Sequence, residues 1–70
     1  GSGFEVEGRI TAIDTAAATL VLRGLVIRYA NARFEDGTRD QLRVGVKIDV
    51  KGRLASDGTS LDAVEIEFED

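Results

Sequence analysis

The chain has 70 residues, 43% apolar and 31% charged, and its nine basic against thirteen acidic residues give a net charge of −4. This length fits one small domain, and the composition is typical of a folded chain. The lack of cysteine and histidine excludes disulfides, cysteine-based zinc sites and histidine-dependent catalytic triads. Acidic balance disfavours nucleic acid as a partner, because phosphate binding usually needs a basic surface. Since no apolar run approaches a membrane span of about 18 residues, no membrane insertion is expected.

The first three residues, Gly1-Ser2-Gly3, resemble an expression scar, and the chain contains no methionine. We therefore expect a single domain over residues 4–70, cut from a longer protein. No signal peptide is visible, but the compartment cannot be deduced from a fragment of this kind.

The first half of the chain predicts three strands. Residues 4–12 alternate between polar residues and an inner phase of apolar or small ones, which is typical of a half-buried strand. A turn follows at residues 14–18. Two shorter strands are expected at 19–23 and 25–29, separated by Gly24. The predicted inner-phase residues are Phe4, Val6, Gly8, Ile10, Ala12, Leu20, Leu22, Leu25, Ile27 and Tyr29.

Residues 31–45 lose the alternation and predict a connector. Asp36-Gly37 is a turn signal, and Thr38 is placed to cap a single helical turn over residues 39–42. Leu42 and Val44 are expected to close one end of the core.

The remainder predicts a hairpin of two strands, at 46–54 and 60–69, joined by a turn at Asp57-Gly58. In the last strand the apolar phase slips by one residue, which indicates a β-bulge near Val64-Glu65. Five strands joined by turns predict an all-β barrel or sandwich.

A short pattern occurs twice, as VEGRI at 6–10 and VKGRL at 50–54, and places Gly8 and Gly52 on inner phases. An inner glycine gives room for a strand to coil around a small barrel. We therefore interpret both glycines as architectural rather than ligand-binding, and expect Gly8→Val to destabilise the fold. The predicted core comprises Phe4, Val6, Ile10, Leu20, Leu22, Leu25, Ile27, Leu42, Ile48, Val50, Leu54, Leu61, Ile66 and Phe68.

The order of these segments resembles the DUF5666 family of small bacterial domains. The segments that carry the resemblance are VEGRITAID, TLVLRG-LVI, ARFEDG, DQLRVG-VKIDVKGRL and SDGTSLDAVEIE, which together span residues 6–67. Val46 departs from the family, which commonly has a polar residue there. The resemblance implies a five-stranded OB-fold-like Greek-key barrel with strand order 1-2-3-5-4 and a short helical turn between strands 3 and 4. It also implies a periplasmic or cell-envelope location, and it supplies no catalytic residue.

Barrels of the OB type bind oligonucleotides or oligosaccharides across strands 2 and 3. The candidate ligand-binding residues on that outer face are Val21, Arg23, Val26 and Arg28. The face has no aromatic platform of the kind that single-stranded nucleic acid prefers. A plain solvated face, in which the valines serve strand propensity, is therefore the competing interpretation.

No catalytic residue, cofactor or metal site is predicted. Glu65, Glu67 and Glu69 share one strand face, which is typical of a solvated edge. The segment DGTS lacks the oxygen ligands of a calcium loop. The outer rows of the first and fourth strands are expected to pair opposite charges, for example Glu7 against Lys51.

These observations predict a non-enzymatic, OB-like interaction or spacer module of a larger, exported bacterial protein. Its partners are unknown, with protein or neighbouring domains favoured over nucleic acid or glycan. The alternative is an oligonucleotide- or oligosaccharide-binding module that uses the outer face of strands 2 and 3.

Overall fold

The computed structural model describes residues 3–69, and almost all of its ordered structure is β-strand. Gly1 and Ser2 of the predicted scar lie outside the described residues, whereas Gly3 begins the first strand. The elements are β1 (Gly3–Asp14), β2 (Thr19–Leu22), β3 (Leu25–Arg28), β4 (Arg33–Glu35), a 3-10 turn (Arg39–Gln41), β5 (Lys47–Leu54) and β6 (Ser60–Phe68).

Five of these strands close into a barrel. β1 pairs with β2 through its C-terminal part and with β5 through its N-terminal part, and both pairings are antiparallel. The antiparallel pairs β2–β3 and β5–β6 extend the sheet in both directions, and a parallel pairing of β3 with β6 closes it. The predicted all-β barrel, including its neighbouring first and fourth predicted strands, is confirmed.

β4 is a sixth strand that alternation did not predict. Its three residues pair in parallel with β6, with Phe34 opposite Ile66. The Phe34 ring lies 6.3 Å from the ring of Phe68, centre to centre. Three residues are too few to show a period of two, so only the tertiary pairing defines this strand.

Two β-bulges set the direction of the side chains. In β6, Lys51 and Gly52 of β5 face Glu65 and Ala63, which leaves Val64 as the extra residue and confirms the predicted bulge. A second bulge, at Thr11 of β1, was not predicted. It reverses the phase that follows, so Ala12 is exposed and Ile13 packs against the core, contrary to expectation.

Most of the predicted core is confirmed. The burial predicted for Phe4 and Leu54 is wrong. Phe4, next to the end of the β1–β5 ladder, is 40% exposed, and Leu54, the last residue of β5, is 38% exposed. Val44, expected to close the core beside Leu42, is 58% exposed. The buried apolar residues are Ile10, Leu20, Leu22, Ile27, Tyr29, Leu42, Ile48, Val50, Leu61, Ala63, Ile66 and Phe68.

The two inner glycines have different surroundings. A Cβ atom built on Gly52 would lie 2.2 Å from the carbonyl oxygen of Asp62 and 2.9 Å from Cα of Ala63, because the bulged part of β6 crosses directly over it. A Cβ atom on Gly8 would meet the Arg23 side chain at 3.2 Å. Gly52 is therefore required by a close backbone approach, whereas Gly8 is covered by a flexible side chain.

The turns follow the predicted chemistry. The 3-10 turn begins after Thr38, whose N–H donates to Oε1 of Gln41 at 2.7 Å. In the β5–β6 hairpin, Oδ1 of Asp57 accepts from the N–H groups of Thr59 (2.9 Å) and Ser60 (3.1 Å). The first of these bonds is the main reason that the pKa of Asp57 lies below its ordinary value.

Candidate interaction surfaces

Three of the predicted ligand-binding residues, Val21, Val26 and Arg28, form one patch on the outer face of β2 and β3. Val21 and Val26 are direct cross-strand partners, and Val26 is 38% exposed. Arg28 is the last residue of β3. Arg23 lies in the β2–β3 turn with a φ of 50°, outside the ladder. A Cβ atom on the inner-phase Gly8 would meet both the Arg23 side chain and Leu22, so Arg23 lies over the inner side of β1 and does not share the outer face of the other three.

Both arginines predicted to bind a ligand make contacts within the chain. Nε of Arg23 donates to the backbone oxygen of Glu7 at 2.5 Å. Nε of Arg28 lies 2.9 Å from Oδ1 of Asp62, and its Nη2 donates to Oγ of Ser60 at 3.0 Å. The first bond joins the β2–β3 turn to β1, and the others join β3 to β6. A phosphate or sugar would have to replace them, which lowers the affinity expected of this face.

A cavity of about 340 Å³ lies beside the patch, where β3 ends and β6 bulges. It is lined by Arg28, Arg53, Asp62 and Val64, among others. Arg53 is the cross-strand partner of Asp62. The lining of this cavity thus contains two arginines and one aspartate, so its net charge is positive.

A larger cavity of about 560 Å³ lies against Tyr29 and the 3-10 turn. The Arg39 guanidinium, which lines it, lies 5.4 Å and 5.5 Å from the ring centres of Tyr29 and Phe34. Its Nη2 donates to the carbonyl oxygen of Ala30 at 2.8 Å. Arg39 thus fastens the connector onto the barrel by cation–π contacts and a hydrogen bond.

The outer side of β1, β5 and β6 carries several rows of charge, including the basic pair of Arg9 and Lys47, and the prediction of pairing there is only partly right. One row is Glu5–Lys51–Glu65, in which a lysine separates two carboxylates.

The next row is Glu7–Asp49–Glu67, in which three carboxylates face one another directly. The predicted contact of Glu7 with Lys51 is therefore wrong, because the register places Asp49 opposite Glu7. Like charges in this position destabilise a sheet.

We call Glu5, Glu7, Asp49, Glu67 and Glu69 the acidic face. The pKa of Asp49 is raised by its partial burial and by the neighbouring Glu5 carboxyl group. Its Oδ1 atom is buried without a hydrogen-bond donor among the described residues. Burial and nearby Asp36 raise the pKa of Glu67, and a carboxyl–carboxyl hydrogen bond with Glu7 raises that of Glu69. The carboxylates of this face therefore outnumber the neighbouring cations Lys51, Lys47 and Arg9.

Three members of this face, Glu7, Asp49 and Glu69, have carboxylate oxygens within 4.8 Å of one another. The strand pattern indicated only that Glu69 shares a face with Glu65 and Glu67, and it did not predict this cluster of residues from β1, β5 and the end of β6. Alternation showed that Glu7 and Asp49 point outward. Only the β1–β5 register places them opposite each other, so no local signal identified the cluster.

The described residues form a small closed β-barrel with an acidic outer face, and they include no helix with the length and apolarity that a membrane crossing requires. Comparison with protein families matches residues 7–67 to DUF5666, a domain of unknown function, and the chain belongs to that family. Neither the curated proteins nor the solved structures gave a match.

Proposed function

We propose that this domain is a non-catalytic interaction module of a larger, exported bacterial protein, and that it meets its partner through the acidic face. The observation that carries the proposal is the Glu7–Asp49–Glu67 row. Three carboxylates placed directly opposite one another lower the stability of the isolated barrel, and a cationic partner would relieve that repulsion. Local electrostatic conflict of this kind is typical of functional surfaces. The exported location rests on family resemblance alone.

Amide chemical shifts test the interaction. We expect the shifts of Glu7, Asp49 and Glu67 to differ between the isolated domain and the same domain within its longer protein. If the shifts agree over the whole surface, the domain is a spacer and the interaction proposal fails.

Turnover tests the non-catalytic part of the proposal. We expect no hydrolysis of chromogenic ester, phosphate or glycoside substrates by the isolated domain. Turnover that disappears in a Glu69→Gln variant would overturn this part, since Glu69 belongs to the carboxylate cluster.

The alternative function is binding of an oligonucleotide or oligosaccharide by Val21, Arg23, Val26 and Arg28. It is less well supported, because both arginines are held by contacts within the chain. Titration with short DNA, RNA and glycans, followed by amide shifts, tests it. Perturbation of β2 and β3 at millimolar ligand would favour it over the interaction module.

A further inference from the structure

The N-terminal half of β1 has one open edge. Residues 3–9 of β1 pair with β5, whereas only residues 10–14 pair with β2 on the opposite edge. β2 has four residues against twelve in β1, and the chain turns away at Arg23 and Gly24. Alongside Gly3–Glu7, the position that a longer β2 would occupy holds no other described strand.

The directions of the backbone groups follow from three hydrogen bonds. The N–H of Ile10 donates to the backbone oxygen of Val46, and the N–H of Gly45 donates to the backbone oxygen of Ile10. The backbone N–H and C=O of Ile10 therefore point to the β5 side. The oxygen of Glu7 instead accepts from Arg23, on the opposite side. Backbone groups alternate along an antiparallel strand, so Val6 faces β5, and Glu5 shares the open direction of Glu7. The N–H and C=O groups of Glu5 therefore point to the open edge.

The side chains at this edge define what can pair with it. Glu5 and Glu7 point to the outer side, within the acidic face. Phe4, 40% exposed, and Val6, partly buried against the core, point to the inner side. An added strand places each residue on the same side as the β1 residue opposite it. A matching strand therefore has a basic side chain opposite Glu5 and an apolar one opposite Phe4.

A second copy of the chain does not meet these requirements. A two-fold antiparallel pairing of β1 with β1 about Glu5 would place Glu5 against Glu5 and Glu7 against Gly3. Carboxylates directly opposite one another oppose that pairing, and charged side chains at an open edge commonly prevent self-association.

We propose that the open edge of β1 binds an extended peptide segment of alternating basic and apolar residues, which adds antiparallel to Gly3–Glu7 in line with β2. Main-chain hydrogen bonds to Glu5 give affinity, and the alternating side chains give specificity, as in other cases of strand addition. This inference rests on the proposed interaction function and specifies the chemistry of the partner.

The probe is an acetylated, amidated hexapeptide of alternating arginine and valine, titrated into the isotopically labelled domain. We expect amide shift changes centred on residues 3–7, together with slower hydrogen exchange at the Glu5 amide. A glutamate–valine peptide should not bind, and a peptide with three arginines followed by three valines should bind more weakly. Equal affinity for the alternating and the segregated arginine peptides would overturn the proposal.

Two substitutions separate the contributions of charge and backbone. Glu5→Gln keeps the open N–H and should weaken binding about two- to fivefold. Glu5→Pro removes an N–H that makes no bond to β5, so it should leave the barrel folded and abolish binding. If Glu5→Pro prevents folding, hydrogen exchange at the Glu5 amide of the unaltered domain tests strand addition instead. Exchange that the peptide does not slow would overturn the proposal.

Shift changes confined to Asp49 and Glu67, unaffected by Glu5→Pro, would indicate simple charge attraction and overturn strand addition. No shift change at millimolar peptide would also overturn strand addition. The broader interaction proposal would not be affected, because its test is the comparison of shifts between the isolated domain and the longer protein. Turnover by the domain would count against the proposed function without affecting this result.

Discussion

The contrast between Gly52 and Gly8 gives the sharpest prediction about the fold. In Gly52→Ala the new methyl group would lie 2.2 Å from the Asp62 carbonyl oxygen, and ordinary contact begins at 3.4 Å. The bulged part of β6 would have to retreat by about 1.2 Å. In Gly8→Ala the nearest atoms, at 3.2 and 3.3 Å, belong to the Arg23 side chain, which can move.

The magnitudes follow from those distances. Overpacking costs about 1–3 kcal/mol, and the retreat of β6 weakens one or two ladder hydrogen bonds worth about 0.5–1.5 kcal/mol each. We therefore expect Gly52→Ala to lower the free energy of unfolding by about 3–5 kcal/mol, a large part of the roughly 4–10 kcal/mol available to a domain of this size. Gly8→Ala should change it by about 1 kcal/mol or less.

Urea unfolding followed by far-ultraviolet circular dichroism measures both variants, since the fold is almost entirely strand. Gly8→Ala is the matched control, because it makes the same chemical change at the equivalent place of the repeated pentapeptide. A Gly52→Ala variant within 1 kcal/mol of the unaltered domain, or equal losses in the two variants, would refute the steric argument.

Three further predictions concern the core and the charges. Ile48→Ala should cost about 2–5 kcal/mol and Phe4→Ala clearly less, because only Ile48 is fully buried; equal urea midpoints would contradict this. Asp49→Asn should raise the melting temperature at neutral pH by removing one of three facing carboxylates, and an unchanged or lower value would show that the row is not strained. Asp57→Ala should lower the melting temperature at neutral pH, through the loss of the hairpin hydrogen bonds, and an unaffected value would contradict that role.

The raised and lowered carboxyl pKa values predict opposite responses to pH. The pKa values of Asp49, Glu67 and Glu69 are raised above their ordinary 3.8, 4.5 and 4.5, so the folded state holds these protons more tightly than the unfolded state. Their contribution to stability is therefore lost as pH rises through the folded pKa values, above about pH 4. The lowered pKa of Asp57 acts in the opposite sense, and its contribution is lost as pH falls.

The free energy of unfolding, measured across this pH range, tests whether each pKa is shifted in the stated direction. Asp49→Asn should flatten the decline in stability above about pH 4, whereas Asp57→Asn should flatten the decline on the acidic side. A steeper decline in either variant would show that the assigned cause is wrong.

Local patterns in the sequence predict the five barrel strands, the turn residues and the bulge near Val64. Each of these depends on local order: side chains alternate with a period of two, turns need particular residues, and a bulge shows as a slip in phase. The hairpin at Asp57 was predictable for the same reason, since its hydrogen bonds join residues two and three apart.

Which residues face one another across strands depends on how the folded barrel pairs them. The tertiary structure placed Asp49 rather than Lys51 opposite Glu7, and so formed the acidic face. It added β4, whose three residues are defined only by their pairing with β6, and it left Phe4 exposed at the end of a ladder. It also gave Gly8 and Gly52 different surroundings, because the backbone of β6 crosses over Gly52 and not over Gly8. These features depend on register and strand crossing between distant segments, which alternation within one strand does not encode.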